Sequence, residues 1–133
     1  MTDAGLVEPV WVDAKLALAI HDRQLAEHGG PSGLRDPGAL ESALARAQNQ
    51  WAYGEVDPCA LAAAYAFGVA RNHPFTDGNK RTAWVVARAF LALNAVELAY
   101  LPGDAISTVL ALAAGQLNEV ELADWFRAHV VGE

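Results

Sequence analysis

Apolar residues recur at intervals of three to five along most of the chain. This period is typical of amphipathic helices and differs from the alternation of half-buried strands. The pattern predicts a first helix from Trp11 to Glu27, with Asp13 as its N-cap and Gly29 just beyond its end. The first element is therefore a helix with a recognisable signal at each end.

Two Asp-Pro pairs mark further helix starts, because aspartate caps a helix and proline suits its first position. Asp36-Pro37 predicts a helix that runs to about Gln48, and Asp57-Pro58 predicts one that runs to about Arg71. Three more helices are predicted from Asn79 to Asn94, from Gly103 to Gly115 and from Leu117 to His129.

Strand signals are thin, and neither Tyr53–Val56 nor Val96–Tyr100 is expected to form a regular strand. No internal repeat, low-complexity stretch or linker divides the chain. Its 133 residues are 53% hydrophobic, which is enough for one continuous core. The sequence therefore predicts an all-α fold, a single compact bundle of about six helices over residues 1–133.

The helices before and after residue 75 form the most apolar part of the sequence. Beyond Thr82, the helix from Asn79 to Asn94 is apolar nearly all round, with Arg88 as its only charge. The preceding helix is rich in alanine, which allows close packing between helices. Because a helix that is apolar on all faces belongs in the middle of a bundle, we expect both helices in the core.

Charge and cysteine content exclude several classes of protein. A net charge of −7 disfavours direct binding to nucleic acid, which needs a basic surface. The single cysteine, Cys59, cannot form a disulfide within the chain or a cysteine cluster for zinc. Neither a signal peptide nor an apolar run of the roughly 20 residues that span a bilayer is found. We expect a cytoplasmic protein without a membrane partner.

The stretch NHPFTDGNKRTA, from Asn72 to Ala83, places polar groups between the two core helices. Its second half enters a helix N-terminus, where backbone N–H groups lack intrahelical acceptors and the helix dipole is positive. Gly78 permits a tight turn and leaves space for an anion to approach. Lys80 and Arg81 lie in the first helical turn, where a bound anion explains cations better than helix stability does. The stretch is a candidate phosphate site.

Two residues of the same stretch supply reactive groups. His73 can accept a proton from an attacking hydroxyl near neutral pH. Asp77 suits Mg²⁺, which usually takes one or two carboxylates together with phosphate oxygens. Phe75 lies between them and is expected to anchor the loop in the core. A base, a metal ligand and an anion site within nine residues are the main parts of a phosphoryl or nucleotidyl transfer site.

The order H-x-F-x-D-G-N-K-R, from His73 to Arg81, closely resembles the motif of the Fic/Doc superfamily, in its death-on-curing toxin branch. HGGPSGLRDPGALESALARAQ (residues 28–48) resembles the N-terminal signature of that branch, and FLALNAVEL (residues 90–98) is also similar. The resemblance covers nearly the whole chain. The competing Walker A pattern, G-x-x-x-x-G-K-[S/T], does not occur.

The resemblance implies a role for each residue of the motif. His73 would be the general base on a target hydroxyl, and Asp77 would hold Mg²⁺. The phosphates of a nucleoside triphosphate would be bound by the four residues that follow, Gly78, Asn79, Lys80 and Arg81. Asn79 would also steady the loop. The implied acceptor is a side-chain hydroxyl of a protein.

Two positions bear on which group is transferred. Fic enzymes that transfer AMP typically carry H-x-F-x-[D/E]-G-N-G-R-x-x-R, whereas this chain has Lys80 and Trp84 at the second glycine and the final arginine. Lys80 fills space that glycine leaves for phosphates, and Trp84 cannot supply a second guanidinium. The death-on-curing branch has this lysine and resembles a protein kinase that transfers the γ-phosphate of ATP to a threonine of elongation factor Tu, which halts translation. Phosphate transfer is the first hypothesis, and AMP transfer is the alternative.

The same resemblance implies a partner, a small antitoxin whose disordered C-terminal segment folds as a helix on the toxin. The inhibitory pattern [S/T]-x-x-x-E-[G/N] occurs nowhere in this sequence, which fits inhibition by a separate protein. A third hypothesis is a non-catalytic protein that only binds an antitoxin or a translation component. The intact His73 and Asp77 argue against it, because a binding protein needs no base beside an anion site.

The remaining polar residues have simpler interpretations. Arg35-Asp36 is expected to cap and orient the second helix. His21, His28 and His129 lack the spacing of metal ligands and are interpreted as structural or solvent-exposed.

Overall fold

The computed structural model describes residues 7–132 and contains six α-helices in that range. They are α1 (Ala14–His28), α2 (Pro37–Ala52), α3 (Pro58–Asn72), α4 (Asn79–Leu93), α5 (Pro102–Ala113) and α6 (Glu119–Ala128). These described residues contain no strand, and none of their helices is long and apolar enough to cross a membrane. The predicted all-α fold of about six helices is confirmed.

The helix starts follow the capping signals of the sequence. Asp13, Asp36 and Asp57 each accept a hydrogen bond from a backbone N–H in the first turn of the helix that follows. Because Asp13 is the cap itself, α1 begins at Ala14 and not at Trp11. The three aspartates therefore determine where α1, α2 and α3 begin.

The end of α2 was placed too early by the sequence pattern. The helix continues past Gln48 to Ala52, and its C-cap is Tyr53. Between Gln48 and Gly54 the sequence has no glycine or proline that would stop a helix. The apolar period alone was too weak a signal for this boundary.

Two isolated backbone bridges join segments that are distant in sequence, Leu34 with Phe75 and Leu98 with Val130. The second lies within residues 96–100, where no regular strand was expected. The first was not predicted. It connects the segment before α2 to the loop between α3 and α4, residues 73–78, which we call the motif loop. This loop therefore has a backbone partner outside the two helices that it joins.

α3 occupies the centre of the bundle, in contact with α2, α4 and α6. Its residues from Leu61 to Ala66 are completely buried. At Gly68, α2 comes so close that a Cβ atom would lie 3.0 Å from the Cα atom and the carbonyl oxygen of Ala43. Small residues therefore permit the close helix contacts that the alanine-rich sequence predicted.

α4 begins at the motif loop and packs against α1 and α3. Farther along α4, Trp84 is only 8% exposed, and its ring lies 5.3–5.6 Å from the rings of Tyr100, Trp125 and Phe126. The end of α3, the start of α4 and the side of α1 thus meet around one loop, which their packing holds in place.

Candidate active site at the start of α4

The motif loop is fixed to the core by Phe75. This side chain is fully buried, and its ring stacks on the ring of His21 from α1 with a centroid distance of 3.7 Å. The side-chain amide of Asn79 bonds the same residue twice. It accepts from the Phe75 N–H at 3.0 Å and donates to the Phe75 carbonyl at 2.9 Å. The middle of the loop therefore has little freedom to move.

A second set of contacts comes from the segment before α2. The N–H groups of Arg35 and Asp36 both donate to the Pro74 carbonyl, at 2.8 and 3.0 Å. The Thr76 N–H donates to the Gly33 carbonyl at 3.1 Å. The loop thus lies between this segment and α1.

His73 is the C-cap of α3 and adopts a left-handed backbone conformation, with φ 51° and ψ 56°. The guanidinium of Arg35 donates from Nε to the His73 carbonyl at 3.0 Å, and from Nη2 to the carbonyls of His73 and Asn72. The prediction for Arg35 was therefore wrong. Asp36 alone caps α2, whereas Arg35 binds the last carbonyls of α3.

Gly78 is the N-cap of α4, with φ 78° and no side chain to bond the first N–H groups of the helix. The positive φ explains the glycine. The second reason given from the sequence, open space for an anion, does not apply on the Cβ side. A Cβ atom at this position would lie 3.7 Å from the His21 ring and from Leu25, which belong to α1. Glycine here serves the backbone conformation.

A cavity of about 280 Å³ opens at this helix start. It is lined by His73, Thr76, Asp77, Gly78, Asn79, Lys80 and Arg81. The Nε atom of Arg81 is buried and has no hydrogen-bond partner within residues 7–132. Buried donors are nearly always satisfied, so this residue of the cavity lining carries a donor that the described part of the fold leaves unpaired.

The cavity also suits a magnesium ion held together with phosphates. Asp77 is the acidic residue among those that line it, and its side chain is exposed. Residues 7–132 hold no cluster of three His, Cys, Asp or Glu side chains that would bind a metal on their own. One carboxylate beside anion donors matches Mg²⁺, which completes its shell with phosphate oxygens and water.

Two other concavities put the site in context. A cleft of about 470 Å³ along α5 shares His73 and Lys80 with the cavity, so the two lie side by side. A larger concavity of about 620 Å³ lies on α2 and the turn after it. The larger one contains no histidine, and its Arg46 is paired with Glu119 at 2.5 Å. Of these concavities, only the one of about 280 Å³ brings His73, Asp77 and Lys80 together.

Comparison with known proteins identifies the family of this chain. The sequence matches the Fic/DOC family over residues 11–91. This chain belongs to the Fic/Doc family. It is 39% identical over 111 residues to "Protein kinase doc" of Escherichia phage P1, an alignment that covers 83% of this chain and 87% of that protein. It is 48% identical over 75 residues to "Toxin Doc" of Mycolicibacterium smegmatis, which covers 53% of this chain and 56% of that protein.

The six site residues predicted from the motif all line the one cavity, namely His73, Asp77, Gly78, Asn79, Lys80 and Arg81. Their chemical roles stay predictions. The side-chain amide of Asn79 is bonded to the backbone of Phe75. Asn79 therefore contributes to the cavity as the first residue of α4 and not through its amide group.

Sequence reasoning missed two residues that hold the loop. His21 was interpreted as structural or solvent-exposed, and it is structural: it is buried and bonds the Asp77 carbonyl at 2.8 Å, a contact that the sequence did not locate. Arg35 was assigned to α2, yet it binds the end of α3. His21 follows the buried Ala17 by four residues, which places both on the same face of α1. This spacing was the one signal in the sequence that His21 faces the core. His28 is exposed, and His129 stacks on Trp125.

Proposed function

We propose that this protein is the toxin of a toxin–antitoxin system and that it transfers the γ-phosphate of ATP to a hydroxyl side chain of a translation factor, elongation factor Tu. The names of two relatives, a protein kinase and a toxin, support this proposal. The observation that carries it is local. A histidine, a carboxylate and an uncapped helix N-terminus line the same cavity.

Each group has a defined task in this reaction. The first N–H groups of α4, with Lys80 and Arg81, bind the phosphates. His73 accepts the proton of the acceptor hydroxyl on a ring nitrogen. The hydroxyl oxygen forms a bond to the γ-phosphorus, the bond from that phosphorus to the bridging oxygen breaks, and ADP leaves.

Asp77 would hold Mg²⁺ in the same cavity. When bound, the ion would neutralise charge on the phosphate oxygens. Asp77 has a second connection to the fold, because its backbone carbonyl is bonded by His21. The carboxylate is thus presented from a fixed backbone.

Phosphate transfer is favoured over AMP transfer by the residue at the end of the motif. Trp84 stands where the AMP-transferring pattern has its last arginine, and it is buried among aromatic rings. It does not line the cavity, and no guanidinium reaches the site from this position. Lys80 lines the cavity in place of the pattern's second glycine. Transfer of AMP to the same class of hydroxyl remains the second candidate.

A cognate antitoxin follows from the toxin proposal. Its C-terminal segment would fold as a helix on this protein and block the reaction. We expect that growth of a bacterial host stops on expression of this chain and resumes on co-expression of the antitoxin.

The test uses purified protein, elongation factor Tu, Mg²⁺ and ATP labelled on the γ- or the α-phosphate. We expect transfer of label from the γ-position only, and a loss of at least about a hundredfold for His73→Ala, the usual contribution of a general base. His28→Ala is the matched control, because His28 is exposed and lies outside the cavity.

Each other result has a distinct meaning. Transfer of label from the α-position would show that the protein transfers AMP and not the γ-phosphate. No label from either position would refute elongation factor Tu as the acceptor. Toxicity that survives His73→Ala would show that the protein acts by binding alone.

A further inference from the structure

His21 is the one histidine of α1 that is buried, with 3% of its surface exposed. Its Nε2 atom lies 2.8 Å from the backbone carbonyl oxygen of Asp77. Because a carbonyl only accepts, Nε2 must carry the hydrogen of this bond. The ring also stacks on Phe75 with an interplanar angle of 7°. α1 thus reaches the motif loop by one polar and one apolar contact of the same side chain.

The contact determines which way one peptide unit faces. The Asp77–Gly78 peptide bond is trans, so its carbonyl and its N–H point in opposite directions. Since the carbonyl points at His21 on α1, the Gly78 N–H points away from α1. Gly78 lines the cavity at the start of α4, where the first N–H groups of the helix have no side-chain cap.

Because residue 78 is glycine, the local backbone alone does not fix the orientation of this peptide, and a contact from another element, here His21, is needed. Glycine reaches positive and negative φ with similar ease, so a rotated Asp77–Gly78 peptide has no large steric penalty. A rotated peptide would direct a carbonyl oxygen, and with it a negative partial charge, toward the anion site. The hydrogen bond from His21 favours the orientation with the N–H in that position.

We propose that His21 is a positioning residue for the phosphate-binding loop. It holds the Asp77–Gly78 peptide so that the Gly78 N–H donates to a phosphate oxygen. This inference rests on the proposed function for the identity of the anion. The orientation of the peptide itself can be measured without any reaction.

Two variants separate the hydrogen bond from the packing. His21→Phe keeps an aromatic ring against Phe75 and removes the donor. His21→Gln loses the ring and keeps an amide N–H at the same distance along the side chain, so it should restore the hydrogen bond. His28→Phe is the control, because it makes the same change on an exposed part of α1.

The first readout is binding of a non-hydrolysable ATP analogue with Mg²⁺, measured by calorimetry. We expect the dissociation constant of His21→Phe to rise about tenfold, which corresponds to about 1.4 kcal/mol. His21→Gln should recover most of the affinity, and His28→Phe should bind as the unmodified protein does. A purely structural role predicts the reverse, since His21→Gln loses the stacking that His21→Phe keeps.

The second readout is nuclear magnetic resonance of the free protein. In the unmodified protein, we expect the ¹⁵N signal of His21 Nε2 to be that of a protonated nitrogen. We expect the Gly78 amide signal to shift in His21→Phe and to return in His21→Gln. These measurements need neither nucleotide nor acceptor. The ¹⁵N signal of the His21 ring is read from the unmodified protein alone.

Failure of this inference is distinguishable from failure of the proposed function. An unprotonated Nε2, or a Gly78 amide signal that is the same in all variants, would overturn the role of His21. Equal nucleotide affinity in His21→Phe and the unmodified protein would also overturn it. If the unmodified protein binds no nucleotide, the proposed function fails, and the Gly78 amide signal alone decides whether His21 orients the peptide.

Discussion

The left-handed conformation of His73 places the candidate base at a strained point of the chain. For a residue with a Cβ atom this conformation costs about 1–2 kcal/mol, although histidine tolerates it better than most. Arg35 donates to the His73 carbonyl, and these bonds offset part of the cost. An exposed arginine outside the motif therefore helps to fix where the base stands.

Gly30 leaves room for the carboxylate of Asp77, the candidate metal ligand. Its φ is 114°, and a Cβ atom there would overlap Oδ2 of Asp77. We predict that Gly30→Ala displaces the Asp77 carboxylate and weakens binding of a Mg²⁺–ATP analogue by about tenfold, or about 1.4 kcal/mol. Calorimetric titration of the two proteins measures this difference.

Gly29→Ala is the matched control for this prediction. Gly29 also has a positive φ, 76°, and a Cβ atom there would have no neighbour within 4 Å. Both variants should lose stability because both force alanine into a glycine conformation. Only Gly30→Ala should lose affinity, and equal affinities in the two variants would contradict a role for Gly30 at Asp77.

Among the elements, the helix starts could be predicted from the sequence because their signals are local. Asp13, Asp36 and Asp57 cap helices through N–H groups within three residues along the chain. The motif likewise identified the cavity, because its residues lie close together in sequence. The contacts of His21 and Arg35 could not be predicted, since they depend on how α1 and the segment before α2 pack against the loop.

The contact between α2 and α3 depends on Gly68. In an isolated helix, alanine is about 1 kcal/mol more favourable than glycine. In this protein, a Cβ atom at Gly68 would lie 3.0 Å from the backbone of Ala43, so the two helices would have to separate. We predict that Gly68→Ala destabilises the protein by about 1–3 kcal/mol, measured by urea unfolding.

Gly103 provides the comparison for this helix contact. It lies in the first turn of α5, and a Cβ atom there would have no neighbour within 4 Å. Gly103→Ala should therefore leave stability unchanged or raise it by up to about 1 kcal/mol. If both glycines gave the same result, close packing would not be the reason for Gly68.

At the scale of the whole molecule, two buried acids connect stability to pH. Burial, with a smaller effect of the Asp57 charge, raises the pKa of the Cys59 thiol from 9.0 to about 11. Burial also raises the pKa of Tyr65 from 10.0 to about 12. The folded protein therefore keeps both protons over a range in which the unfolded chain loses them.

We predict that the free energy of unfolding falls as the pH rises above about 9. The unfolded state binds fewer protons than the folded state in this range, so alkaline pH favours unfolding. Each group contributes a slope of at most about 1.4 kcal/mol per pH unit. Urea unfolding at several pH values between 8 and 11 measures the slope.

Cys59→Ala isolates one of the two contributions. The variant should show a shallower slope from about pH 9 to 11, whatever its stability at pH 7. The pH slopes are compared and not the stabilities at one pH, because removal of the thiol also changes the packing of the core. A slope equal to that of the unmodified protein would exclude Cys59 as a source of the alkaline instability.

The missing side-chain cap of α4 has a thermodynamic consequence for the protein as a whole. A capping side chain is worth about 0.5–2 kcal/mol relative to alanine but only a few tenths of a kcal/mol relative to glycine, and Gly78 supplies no side-chain acceptor. The free protein thus leaves donors open at the candidate site, and an anion bound there as proposed would supply the missing acceptor. Because a ligand that binds only the folded state adds RT ln(1 + [L]/Kd) to stability, nucleotide bound as proposed would raise the free energy of unfolding as its concentration rises.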